Sequence, residues 1–187
     1  MTLSALTTSH AALGTGRVAI ARVDIRDFRN IERAEMDLPA DGIAIVGDNG
    51  HGKTNLLEAL AYLQLLRSLR GVRDRDLIRF GAPAFHIGSV ATGTAAHHVG
   101  IGVDRASRKR VSLDGVDTPR LTDALGAVPS VCFSPADVAL IAGAPAERRR
   151  YLDIALALSS RRYLGALRHY RAALARRNAA LRAAARP

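Results

Sequence analysis

The chain lacks most of what would place it in a membrane or outside the cell. No stretch approaches the ~18 consecutive apolar residues of a membrane-spanning helix, so no membrane span is expected. Residues 1–16 are small and polar, with neither a charged start nor an apolar core, so no secretory signal is expected there. The one cysteine, Cys132, cannot form an internal disulfide. Its apolar surroundings, Val128 to Phe133, read as those of a small buried residue. A reducing, cytoplasmic setting follows as the expectation. Lysine is scarce too: of 27 basic side chains only Lys53 and Lys109 are lysines. Several enzyme signatures are missing. There is no Asn-Lys-x-Asp to read guanine and no Leu-Ser-Gly-Gly-like segment, since Leu158-Ser159-Ser160-Arg161 has the wrong residues after the serine. The sole candidate for an acid behind a hydrophobic strand is Asp104, after Val99-Gly100-Ile101-Gly102-Val103. Its glycines and the following Arg105 read as a hairpin instead.

What is present is a phosphate-binding loop. Gly47-Asp48-Asn49-Gly50-His51-Gly52-Lys53-Thr54 fits G-x-x-x-x-G-K-S/T, between an apolar run, Ile43–Val46, and a helix-forming run, Asn55–Leu60. The glycines let backbone N–H groups converge on phosphate oxygens, and the following helix points its positive end at the same anion. Lys53 supplies a compact ammonium for the β- and γ-phosphates, and the Thr54 hydroxyl a ligand for Mg²⁺. Lysine at this position in so lysine-poor a chain makes a chance match improbable. A nucleoside triphosphate is the expected ligand.

With 187 residues, 48% of them hydrophobic, the chain can bury a core of one domain or a little more. The layout is expected as a loose leader over 1–16, a nucleotide-binding lobe over 17–145 and a basic helical region over 146–187. Val18–Ile25 reads as a strand, Asp27–Asn30 as a turn and Ile31–Leu38 as the returning strand. A buried strand then feeds the loop. The helix from Lys53 should run to about Leu69, with Leu56, Leu57, Leu60, Leu63 and Leu66 on one face. Residues 85–116 read as antiparallel sheet, with an Asp114-Gly115 hairpin turn. His97 and His98, adjacent on a strand, point to opposite faces and form no metal pair. Net charge is +10. Residues 1–140 carry 16 basic and 15 acidic side chains, whereas 141–187 carry 11 arginines against Glu147 and Asp153. That asymmetry suits either a polyanionic partner or a solvated alanine- and arginine-rich helix. Tyr163, Leu167, Tyr170, Leu174 and Leu181 follow heptad spacing, broken at Arg177, which a short coiled coil and a packed amphipathic helix fit equally.

The ordered blocks resemble the RecF family, whose heads look like those of ABC-type and SMC/Rad50 ATPases. Val23–Asn30 is similar to the family's opening strand and Phe-Arg-Asn turn, and Asn49–Ala59 to its phosphate loop and helix. Asp76–Gly81, Phe133–Val138, Gly143–Asp153 and Arg177–Leu181 continue the resemblance, which covers about residues 17–182. Ala136 stands where the family usually has glutamate, which puts that segment's response to a γ-phosphate in doubt. The resemblance implies an α/β P-loop NTPase fold: an ABC/SMC-like head lobe with an antiparallel β subregion and a C-terminal helical arm. It implies ATP and Mg²⁺ as cofactors, with Gly47, Asp48, Asn49, Gly50, His51, Gly52, Lys53 and Thr54 binding them, and an approach of Arg29 and Asn30 to the nucleotide. It implies duplex DNA and single-strand/duplex junctions as partners, through the basic quarter together with Arg67, Arg70 and Arg73. A RecR-type mediator, support for recombinase loading and an ATP-dependent homodimer are further implications. The family's second half, with its signature serine and Mg²⁺-holding aspartates, has no counterpart here. The expectation is therefore a lobe truncated before its catalytic completion, binding ATP without efficient hydrolysis and with no catalytic residue of its own. The rival readings are a small-molecule kinase, another SMC/Rad50-like head and a passive, non-hydrolysing DNA-binding module.

Overall fold

A computed structural model describes residues 5–6, 18–93 and 97–184. Its residue contacts divide the chain into two compact units, 1–132 and 133–187. The division falls ahead of the expected 145/146 boundary. The turn at Pro135–Val138 and the short helix Ala139–Ala142 pack with each other and with the helix starting at Pro145, so they belong to the second unit. Of the expected leader, only Ala5–Leu6 lies among the described residues, as strand β1.

The first unit is built on an antiparallel sheet. Strands β2 (Ala19–Phe28), β3 (Ile31–Asp37), β5 (Ala84–Thr92), β6 (His98–Asp104), β7 (Lys109–Leu113) and β8 (Val116–Asp117) lie in the order β3-β2-β5-β6-β7-β8. Alternation sets one face inward: Val23 and Ile25, Phe85 and Ile87, Val99, Ile101 and Val103, and Val111 are all buried. Helix α1 (Lys53–Leu65) covers this face with Leu56, Ala59, Tyr62 and Leu63. Phe28, Tyr62 and Phe85 meet edge to face, with centroids 5.2 Å (Phe28–Phe85), 5.5 Å (Tyr62–Phe85) and 6.4 Å (Phe28–Tyr62) apart. The β7–β8 turn falls on Asp114-Gly115, both at positive φ as the sequence requires. Asp114 also accepts the N–H groups of His97 and His98, two exposed histidines, which hold its carboxyl below the usual range. Asp104 closes the β6–β7 hairpin in the same way, accepting from the Arg108 N–H at 2.9 Å and its Nε at 2.6 Å.

Four expectations are corrected here. Helix α1 stops at Leu65 because Leu66 adopts a left-handed conformation while its N–H still reaches the Tyr62 carbonyl. The buried stripe runs through Ala59 and Tyr62 rather than through Leu57, which is 49% exposed. The strand that feeds the loop, β4, is only Ala44–Ile45. It pairs with β1, and Val46 beyond it is 54% exposed, so it is not a buried strand. Cys132 is exposed, flanked by the exposed Val131 and Phe133, since the chain leaves the first unit there.

In the second unit, helices α2 (Pro145–Ser159) and α3 (Arg161–Ala184) pack as a hairpin. Ser160 separates them, its Oγ accepting the Tyr163 N–H. Asp153 accepts from the Tyr163 hydroxyl at 2.8 Å and from Arg171 at 2.9 Å, which holds its carboxyl low. Tyr163, Leu167 and Leu174 are half-buried along the heptad seam, but Tyr170 and Leu181 are more than half exposed. Among the described residues, no helix is long and apolar enough to cross a membrane.

Lys109 joins the sheet to the helix. Its side chain is 11% exposed, and the ammonium reaches Asp74 at 2.7 Å and the Leu66 carbonyl at the end of α1 and lies 5.1 Å from the Tyr62 ring centroid. Tyr62 in turn donates to Asp74 at 2.8 Å, and burial beside that carboxylate pushes its phenol far up. Replacing Lys109→Met takes the ammonium from Asp74, which keeps the Tyr62 hydroxyl, and from a helix-end carbonyl. We expect a loss of about 2 kcal/mol in chemical denaturation, against no more than about 0.5 kcal/mol for Arg110→Ala on the exposed side of the same strand.

Candidate phosphate-binding site

The loop 47–52 joins β4 to α1, and its conformation is set by two neighbours. Gly52 is the residue before the helix, at φ 87°, and a Cβ there would stand 2.9 Å from the Asn30 Oδ1. Asn30 donates from Nδ2 to the Gly50 carbonyl at 2.8 Å and accepts from the Asn55 Nδ2 at 2.8 Å. The β2–β3 turn therefore ties the loop to the start of the helix. Arg29, beside it, donates to Glu58 on α1 from Nε at 3.1 Å and Nη2 at 3.2 Å. Asp27 and Arg29 both sit at positive φ, which for Arg29 costs about 1 kcal/mol or more. Three bonds hold the turn there: the Arg29 N–H to Leu77 O and the Arg79 N–H to Asp27 O, each 2.7 Å, and Arg79 Nε to the Asp27 carboxylate at 2.6 Å. Arg29 and Asn30, implied as nucleotide neighbours, thus bind the loop and its helix rather than pointing at the cavity.

That cavity, about 220 Å³, is lined by Asn49, Gly50, His51, Gly52, Lys53, Thr54, Asn55 and Arg70. No carboxylate lines it. No side chain caps the helix N-terminus and its first turn holds no acidic residue, so the positive end of α1 faces the opening unneutralised. Lys53 donates from Nζ to the carbonyls of Gly47 at 2.6 Å and Asp48 at 2.8 Å, folded back over the loop. A cation at a helix N-terminus is unfavourable unless an anion joins it. The arrangement suits a phosphate group, and the exposed Thr54 hydroxyl suits a phosphate-bound Mg²⁺, which takes few protein ligands. Asp48 and His51 are exposed on the outer rim, 4.0 Å apart.

Arg70 is the residue that the sequence did not place. The resemblance groups it with Arg67 and Arg73 as a duplex-DNA contact, but it lines the cavity, with Nε 3.7 Å from Glu58. The available signal was Glu58 itself: an acidic residue on the apolar stripe of a helix requires cations nearby. Asp104, by contrast, is tied into its hairpin turn. A larger opening, about 610 Å³, lies elsewhere, on the outer face of the sheet. It mixes Arg22 with Asp24, Glu35 and Asp114, of which Glu35 is already paired with Arg22, so it offers an anion no net attraction.

A family model described as an AAA domain matches residues 22–121. The DNA replication and repair protein RecF of Chlamydia trachomatis serovar L2 is 41% identical over 160 residues, which are 85% of this chain and 44% of that protein. RecF of Roseiflexus castenholzii is 35% identical over 182 residues, 88% of this chain and 46% of that protein. The chain spans about half the length of the curated relatives it matches. Among solved structures, the recombination mediator RecF with ATPγS superposes with a TM-score of 0.79 at 26% identity, over 87% of this chain and 44% of that one. An SMC ATPase superposes with a TM-score of 0.58 at 21% identity, over 72% and 98%. The fold is that of a P-loop NTPase, the head lobe shared by RecF and SMC ATPases.

The clamp generates a stability prediction. Gly50 and Gly52 share nearly the same φ, 84° and 87°, but only Gly52 faces Asn30. Both alanine variants carry backbone strain of about 1–3 kcal/mol. Gly52→Ala should lower the melting temperature further than Gly50→Ala, and Asn30→Ala should relieve the excess in the Gly52→Ala background.

Proposed function

The chain belongs to the AAA-domain family, on the branch of the RecF DNA replication and repair proteins, and we propose that it serves there as an ATP-binding lobe. The observation that carries this reading is a cavity at a helix N-terminus with Lys53 and Arg70 in its wall and no carboxylate. In this reading Gly47, Gly50 and Gly52 shape the cradle, with Asp48, Asn49 and His51 completing the loop around the phosphates. Lys53 leaves the loop carbonyls for the β- and γ-phosphates, Thr54 holds the ATP-bound Mg²⁺, and Arg70 adds a second cation from the side. The RecF relatives solved with ATP or ATPγS support the choice of nucleotide.

This chain by itself is proposed to bind ATP without efficient turnover. Hydrolysis needs an acid to hold the metal and orient water, and Asp104 is committed to its hairpin turn, its carboxyl held low by the Arg108 N–H. The composite site would be completed by further polypeptide in an ATP-dependent dimer. The arginines of α2 and α3 are proposed to meet duplex DNA near single-strand gaps, in support of recombinase loading with a RecR-type mediator. They are mostly exposed, and Arg171 is the one paired with Asp153. Such contacts are electrostatic and independent of sequence.

Calorimetric titration with Mg-ATP tests the site. The wild-type chain should bind, and Lys53→Ala should lose at least about tenfold in affinity, the value of one charge-assisted contact. Unchanged binding in Lys53→Ala sinks the reading. Duplex DNA affinity should fall by orders of magnitude between about 50 and 200 mM salt. DNA binding that ignores both salt and ATP counts against the DNA assignment.

A further inference from the structure

We propose that Glu58 and Ser68 form a buried positioning pair that delivers Arg70 to the phosphates. The inference rests on the reading of the loop as an ATP site and concerns a residue pair outside that loop. Glu58 is 2% exposed, on the face of α1 that carries Leu56, Ala59 and Tyr62. A carboxylate in such a place has to be compensated, and Arg29 alone does so through its two hydrogen bonds. Two further groups nonetheless converge on it. The Ser68 hydroxyl, also 2% exposed, donates to Glu58 Oε1 at 2.6 Å, and the Arg70 Nε lies 3.7 Å from Oε2. One buried acid thus has two guanidinium partners, and the cluster keeps one surplus positive charge. Only one of those guanidinium groups, that of Arg70, also lines the cavity beside Lys53 and Thr54. An anion in the cavity would complete the charge balance.

The chain is shaped to make this delivery. Leu66 at φ 51° turns the backbone out of α1, and Gly71 at φ 73° turns it again, with its N–H on the Ser68 carbonyl. Between them, Ser68 works in both directions, donating to Glu58 and accepting the backbone N–H of Arg70 at 3.0 Å. A half-exposed arginine on an otherwise unpaired loop would lose rotamer and backbone freedom on binding phosphate. Here the backbone of Arg70 is fixed beforehand to the helix that presents Lys53. Ser68 therefore acts on the ligand through Arg70, as a positioning residue.

A purely structural Ser68 would lower stability and leave ATP affinity, once corrected for folded fraction, independent of Arg70. The test is a double-mutant cycle on Mg-ATP affinity with Ser68→Ala, Arg70→Ala and the pair, melting temperatures being taken on every variant. Arg70→Ala should lose about tenfold and Ser68→Ala a few-fold, with the pair no weaker than Arg70→Ala alone. Ser68→Thr, which keeps the hydroxyl, should restore binding towards wild type. Losses that multiply in the pair, or a Ser68→Ala variant that binds ATP as the wild type does, overturn the proposal. Arg70→Ala removes a half-exposed side chain and keeps the proposal decidable if Ser68→Ala does not fold: unchanged affinity there overturns it as well. Lys53→Ala separates the two readings. Where wild type binds and Lys53→Ala does not, the ATP site stands whatever the cycle shows.

Discussion

The ion pair between Arg29 and the buried Glu58 is the constraint on which the rest of the first unit depends. It joins the helix that follows the phosphate loop to a turn whose own backbone is strained. Removing Arg29 would leave the buried Glu58 with only the Ser68 hydroxyl and the more distant Arg70, a cost of up to about 3–5 kcal/mol, above the strain at Arg29. The pair therefore holds the turn in place, and the turn places Asn30. Asn30 in turn bonds the loop on one side and the helix on the other. A loop made of glycines, which by itself would sample many conformations, is in this way held in one before any ligand arrives.

The two lysines of this arginine-rich chain mark the two ends of the same helix. Lys53 sits at the N-terminal end, where its charge opposes the helix dipole and awaits an anion. Lys109 reaches the C-terminal end from the sheet, where its charge meets the Leu66 carbonyl and Asp74. Both ammonium groups contact main-chain carbonyls in confined spaces, a task for a compact point charge rather than a planar fork. The first is frustrated and the second satisfied, which is the difference between a binding group and a structural one.

Much of this was legible in the sequence, for local reasons. The glycine spacing with Lys53 and Thr54 located the loop, and the two-residue alternation of Val99, Ile101 and Val103 located the sheet face. Asp114-Gly115 located a hairpin turn, and Asp104 read as a hairpin residue before its partners were visible. What was not legible depended on tertiary contacts. Leucine periodicity favoured Leu57, but the sheet lies over Ala59 and Tyr62. Nothing local forces Leu66 into a left-handed conformation, so the early helix end and the return of Arg70 to the cavity were missed. The apolar surroundings of Cys132 suggested burial, yet the chain passes there from one unit to the next. The pairing of Arg29, in the Phe-Arg-Asn turn, with Glu58 was likewise not legible, because the two meet only through the tertiary fold.

The proposed recognition of phosphate rests on a helix end and two cations, with no carboxylate lining the cavity among the described residues. The most direct measurement is the affinity of the wild-type chain for ATP, ADP and AMP, each titrated with Mg²⁺ at one ionic strength. A steep fall is expected as phosphates are removed, with AMP binding lost, because the groups lining the cavity are those of a phosphate site. Equal affinity for AMP and ATP would contradict it.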